Sequence, residues 1–147
     1  MDADLSYNIG HEIPPDGAFA KARGTDMNIP KGHQAVMPYL MIEDAAAFIE
    51  FTKAVFDADL THHSMRDGIV GHCEIQIGGS TIMFSNSRGT WTPATANMFV
   101  YVEDADATYV KAVENGAETI MPPDDQEYGR SCGVTDLFGN VWWITSV

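Results

Sequence analysis

A chain of 147 residues is long enough for one domain to bury a core without disulfides or a structural metal. Its formal net charge of −13 repels phosphate backbones and anionic lipid surfaces, which excludes nucleic acid and membranes as expected partners. No apolar run approaches the roughly 20 residues of a membrane helix, and the acidic start Met1-Asp2-Ala3-Asp4 lacks the features of a signal peptide, so a cytoplasmic location is expected.

Residues 1–30 carry Pro14-Pro15, Gly10, Gly17 and Gly24 without a sustained apolar period, and read as an irregular arm. Met27 is a candidate internal start. Residues 31–147 are expected to form the folded domain, in two modules over about 35–88 and 94–147.

The first module begins with a strand over 35–42 and a helix over 44–56. Strands over 59–66, 69–77 and 80–86 follow. Asp67-Gly68 and Gly78-Gly79 sit where tight hairpin turns need positive φ, so these three strands should be antiparallel neighbours. The stretch Asn86-Ser87-Arg88-Gly89-Thr90-Trp91-Thr92-Pro93 breaks both periods and reads as a linker. A strand over 95–102, a helix over 104–115 and a strand over 118–121 open the second module. Then come a loop over Pro122–Gln126, strands near 127–135 and 140–146, and a hairpin at Asp136-Leu137-Phe138-Gly139-Asn140.

The order is β-α-β-β-β written twice, an α+β plan. Val36-Met37-Pro38-Tyr39-Leu40-Met41-Ile42-Glu43-Asp44-Ala45 is repeated in plan by Ala96-Asn97-Met98-Phe99-Val100-Tyr101-Val102-Glu103-Asp104-Ala105. Cys73 matches Cys132 and Ile82-Met83 matches Trp142-Trp143, at offsets of 59 and 60 residues. Asp44 and Asp104 are placed to cap their helices. The two cysteines read as separate buried thiols.

Strand parity assigns faces. Cys73, Ile75 and Ile77 should face the helix, and His72, Glu74 and Gln76 the other side, where polar and aromatic groups suit a cavity lining. His62 and His63 point opposite ways, so at most one can share a site. Trp142 and Trp143 divide likewise between core and cleft.

Two such modules, each with Glu-Asp-Ala after its first strand and closed by Asp136-Leu137-Phe138-Gly139-Asn140-Val141-Trp142, resemble the vicinal-oxygen-chelate superfamily of glyoxalases, bleomycin-resistance proteins and dioxygenases. The segments Gly71–Met83 and Met121–Arg130 are similar to its PhnB-like branch. The resemblance covers residues 34–147. It implies a curled mixed sheet around a cleft, and a homodimer.

In members that use a metal, ligands lie on the first strand and near the end of each module; the matching places here are Met37, Asn97, Met83 and Trp143. A thioether, an amide and an indole are poor donors for a hard or borderline divalent ion, so no cofactor is expected. A divalent metal remains the alternative. Met37, Tyr39, Met83, Phe99, Tyr101 and Trp143 should wall the cavity, a lining suited to flat or apolar molecules. His72 and Glu74 are either a polar strand face or ligand contacts, and are the candidates for catalysis. Arg130 is either a solvated ion pair or an anion clamp at the cavity mouth.

The expected function is binding or sequestration of an aromatic or anionic small molecule by burial and stacking. Tyr39, His72, Glu74, Asn97, Phe99, Tyr101 and Trp143 are the expected contacts. The alternatives are a metal-dependent lyase, isomerase or dioxygenase of the vicinal-oxygen-chelate type, or a metal-free enzyme using His72 or Glu74 as a proton shuttle.

Overall fold

The computed structural model describes residues 27–147. The expected arm lies, up to residue 26, outside the described residues, and so does the question of what precedes Met27. Lys31–Val147 form one compact unit. No helix among the described residues is long and apolar enough to cross a membrane.

The first module is β1 (Tyr39–Ile42), α1 (Ala45–Phe56), β2 (Asp59–Arg66), β3 (Ile69–Ile77) and β4 (Ser80–Asn86). The second is β5 (Asn97–Tyr101), α2 (Ala105–Glu114), β6 (Glu118–Gln126), β7 (Gly129–Thr135) and β8 (Val141–Ser146). They build two four-stranded sheets of identical topology, ordered β1-β4-β3-β2 and β5-β8-β7-β6. In each, the first strand runs parallel to the last and all other pairs are antiparallel. The two β-α-β-β-β modules make two curled mixed sheets, of the expected α+β class.

Local chemistry sets the boundaries. Asp44 Oδ1 accepts the Ala47 N–H at 3.1 Å and Asp104 Oδ1 accepts that of Ala107 at 3.0 Å, so each helix starts on its acidic cap. The last strand of each module adds a second acceptor: Asn86 takes the Ala45 N–H and Ser146 that of Ala105. At the β3–β4 hairpin Gly78 and Gly79 adopt φ of 54° and 83°, the left-handed pair that matches strand twist.

The first strand starts at Tyr39 and not at 35, and a second boundary differs from expectation. The segment Pro122–Gln126 is not a loop but the continuation of β6. Proline has no N–H for a ladder, yet β6 is an edge strand, and its register jumps from Met121 to Asp124, so the prolines fall in an irregularity where no bond is required. The turn comes later, at Glu127-Tyr128.

The core is shared between modules. Helix α1 packs Phe48 and Phe51 against Phe138, at ring separations of 5.5 and 6.1 Å, and Phe56 against Trp142 at 4.5 Å. Cys73, Ile75, Phe84, Cys132, Val134 and Ile144 complete it, none of them exposed. Each sheet therefore spends one face on the helices and leaves the other open.

Candidate functional site: two open sheet faces

The open face of the first sheet carries a hydrogen-bonded chain. Tyr39 Oη lies 2.9 Å from His72 Nδ1, with the rings stacked at 5.5 Å. His72 Nε2 is 3.5 Å from Glu74 Oε1, and His33 Nε2 meets the same oxygen at 3.0 Å. With the carboxylate ionised, His33 donates to it. One consistent tautomer of His72 accepts from Tyr39 at Nδ1 and turns an Nε2–H toward Glu74. His62 flanks the chain, its ring 5.3 Å from that of His72. Met83 stands between Tyr39 and Glu74 in the sheet, paired in register with both.

His33 was not anticipated, because it precedes the first strand. The segment that carries it is laid across the sheet by four bonds: Gln76 Nε2 donates to the Gly32 carbonyl at 3.0 Å, the Thr81 hydroxyl donates to that same carbonyl, the Thr81 N–H donates to Gln34 Oε1 at 3.2 Å, and Gln34 Nε2 donates to the Thr81 carbonyl at 3.5 Å. The segment itself is irregular and left no periodic signal in the sequence.

The open face of the second sheet is aromatic. Phe99 and Tyr101 are 51% and 66% exposed, with ring centroids 5.2 Å apart, and Tyr128 approaches Phe99 at 6.2 Å. Trp143 is paired with Phe99 on one side and Gly133 on the other, and its indole lies across Gly133. Trp142, one residue earlier, points into the core and is 1% exposed. Asn97 is exposed at the start of β5, and Met37 is half-buried ahead of β1.

Two cavities border these faces. One of about 380 Å³ lies at the seam of the modules, between Pro38, Thr81 and Ile82 on one side and Met98, Phe99 and Tyr101 on the other. Another, of about 420 Å³, opens beside Tyr39 and His72. Both fall in the size range of small-molecule sites.

Comparison with known proteins agrees with this geometry. The family model for the glyoxalase/bleomycin resistance protein/dioxygenase superfamily matches residues 32–144. The chain belongs to that superfamily. Among its relatives is the Mycobacterium bovis protein Mb0911c, 31% identical over 121 residues that span 74% of this chain and 80% of that one. Solved structures share the fold, two of them as follows. A PhnB protein from Bacillus cereus has a TM-score of 0.63 at 22% identity, covering 78% of this chain and all (100%) of the other. TnmS3, an antibiotic binding protein from Streptomyces sp. CB03234, has a TM-score of 0.61 at 17% identity, covering 78% and 98%.

The superfamily's metal does not fit the side chains found at its usual places. Met83, beside Glu74 in the strand register, is a thioether, and Trp143 presents a ring with no lone pair to offer a cation. Among the described residues no three His, Cys, Asp or Glu side chains are grouped to hold an ion. His33 and His72 both turn to one oxygen of Glu74 in a hydrogen-bonding arrangement.

Arg130 is not brought to either open face. It shares strand parity with the buried Cys132 and Val134, and its Nε and Nη2 both reach Asp106 at 3.0 Å while Nη1 meets Asp125 at 3.3 Å. Hydrogen bonding from Arg130 holds the Asp106 carboxyl below the usual carboxylate range, and Asp106 in turn raises the guanidinium.

Proposed function

We propose that this superfamily member is a small-molecule binding protein that acts by burial and stacking. The observation that carries this is the solvent-facing cluster of Phe99, Tyr101 and Tyr128 on a sheet face whose opposite side is fully committed to the core. Exposed large aromatics in one contiguous patch are costly in water and mark a surface that becomes covered. A flat ligand stacked there would meet rings from the second module and hydrogen-bonding groups from the first. The fold kinship with an antibiotic binding protein points the same way. A homodimer, in which each copy closes the other's open face, completes the proposal.

The test is calorimetric titration with a panel of aromatic antibiotics and planar metabolites, with the mass of the free protein measured by light scattering. Binding that weakens about tenfold or more in Phe99→Ala and Tyr101→Ala supports the reading, since stacking and burial of one ring contribute about 1–3 kcal/mol. A panel member bound equally by wild type and both variants would place the ligand elsewhere and defeat it.

A second reading has one specific observation behind it. The Tyr39–His72–Glu74–His33 chain gives a carboxylate two imidazole neighbours and gives His72 a hydroxyl partner, which is the wiring of a proton-transfer site. Incubating each bound ligand with the protein and following its mass and solvent deuterium uptake separates the two. Turnover or exchange lost in Glu74→Gln, with affinity retained, would make the protein an enzyme.

A further inference from the structure

We propose that the 420 Å³ cavity beside Tyr39 and His72 is an oxyanion subsite, which receives the acidic group of a small aromatic acid. This goes beyond the small-molecule reading above: the cavity is lined by the first module and the linker, and none of Phe99, Tyr101 and Tyr128 lines it.

The cavity departs from the electrostatics of the chain around it. Asp and Glu outnumber Lys and Arg by 21 to 8 overall, yet among the described residues no carboxylate lines this cavity, while Arg66 and Arg88 both do. These are two of the four arginines in the chain. Arg66 makes no ion pair among the described residues, and Arg88 has one distant acidic neighbour, the 90% exposed Asp67 at 4.0 Å. A solvated contact of that length holds little energy and yields readily to a better-placed anion. Arg130, by contrast, is already neutralised by two aspartates and has no fork to spare.

Local backbone explains why cation and ring arrive together. Arg88 and Trp91 exchange both N–H···O bonds at 2.8 Å around Gly89-Thr90, a two-residue turn with Gly89 at φ of 52°. Residues facing each other across such a turn project to the same side, so the guanidinium and the indole line one wall. The linker is fixed next to β1 by the Ser87 N–H to the Ile42 carbonyl and by the double bond pair between Met41 and Ala94. Tyr39 and His72 also line the cavity, with the Tyr39 hydroxyl and His72 Nδ1 hydrogen-bonded to each other at 2.9 Å. A planar ring stacked on Trp91 can thus direct a carboxylate or phosphate at two guanidinium groups, the donors best matched to oxyanions.

The experiment is titration of the whole protein with benzoate and phenyl phosphate against the neutral isosteres benzamide and benzyl alcohol, read by calorimetry and by quenching of tryptophan fluorescence. The two acids distinguish a carboxylate site from a phosphate site. At least one acid is expected to bind roughly tenfold or more tightly than its neutral partner, with affinity falling as salt rises. Arg66→Gln and Arg88→Gln should each weaken it by about tenfold, and Arg130→Gln should not. Trp91→Phe should abolish the quench, which locates the ligand even where an arginine variant is perturbed. Equal affinity for acid and amide, indifference to both arginine variants, or failure to bind either acid overturns the subsite. Should neutral aromatics still bind in a manner sensitive to Phe99→Ala, the subsite fails and the broader binding function stands.

Discussion

Replacing Gly133 by alanine tests how the aromatic face is built. A Cβ at Gly133 would fall 2.4 Å from Cζ3 and 2.7 Å from Cε3 of Trp143. Relaxed carbon contacts lie near 3.5–4.0 Å, so the indole has to move by roughly 1 Å or the strands must part. Trp143 is held between Gly133 and Phe99, and displacement therefore passes to the neighbouring ring. Overpacking of this kind costs about 1–3 kcal/mol, and the restricted unfolded chain returns about 0.4–1 kcal/mol, which leaves a net loss of up to about 2.6 kcal/mol. At about 4 °C per kcal/mol for a domain of this size, Tm should fall by up to roughly 10 °C in a calorimetric scan. Near-ultraviolet circular dichroism should change, because an indole changes its surroundings. The double variant Gly133→Ala with Trp143→Ala should recover part of the loss attributed to the clash, a non-additivity expected only for residues in contact. An unchanged Tm and spectrum in Gly133→Ala would show that the indole does not rest on this glycine, and the aromatic face as described would be wrong.

Three further outcomes are expected. Asp136 is buried and accepts four bonds, from the N–H groups of Phe138 and Asn140 at 2.9 Å, from Asn140 Nδ2 at 3.0 Å and from Trp142 Nε1 at 2.8 Å. Asp136→Ala should cost about 3–5 kcal/mol in urea unfolding by stranding buried donors, and a loss below about 1 kcal/mol would contradict that account. Burial pushes the Cys132 thiol from 9.0 up to about 11, and Cys73 upward as well, so both should resist alkylation in the native protein and react after denaturation. The unfolded thiol ionises first as pH rises, hence these groups should erode stability between about pH 9 and 11, and Cys132→Ala should flatten that slope. Arg130→Ala should leave ligand affinity intact; because Arg130 depresses the Asp106 pKa, its stabilising effect is present at neutral pH and disappears as pH falls through the Asp106 titration, which acid unfolding of the variant would reveal.

Features governed by near neighbours were legible in the sequence. The hairpin at Gly78-Gly79, the caps at Asp44 and Asp104, the face alternation of His72-Cys73-Glu74 and the split of Trp142 from Trp143 all follow from period and backbone sterics. Features set by distant partners were not. Pro122-Pro123 resembles a loop until β6 is known to be an edge strand, a fact that depends on where β7 and β8 lie. His33 joins Glu74 across 41 residues, and Arg130 finds Asp106 across 24. Arg66, Arg88 and Trp91 share a cavity only because a turn in the linker folds back beside the end of β2.

The duplication explains why one plan yields two unlike faces. In the first sheet the row Tyr39–Met83–Glu74 crosses three strands; in the second the equivalent row is Phe99–Trp143–Gly133, at offsets of 60, 60 and 59 residues. Side-chain bulk has moved from the third strand to the fourth: glutamate beside methionine in one copy, glycine beside tryptophan in the other. The exchange keeps the row filled while it reverses its chemistry. A carboxylate on the third strand recruits His72 and His33 and makes a hydrogen-bonding face. A glycine there lets an indole lie flat and makes a stacking face. The helix-covered side changed little, since Cys73 and Cys132 remain equivalent, fully buried thiols. Close packing penalises volume changes in the core, whereas the open faces were free to diverge, and a ligand that is flat at one end and polar at the other would use both products of that divergence. Exchanging the pairs, with Glu74→Gly and Met83→Trp together, should therefore be tolerated better than either change alone, because only the double variant restores the packing rule that the second module already demonstrates.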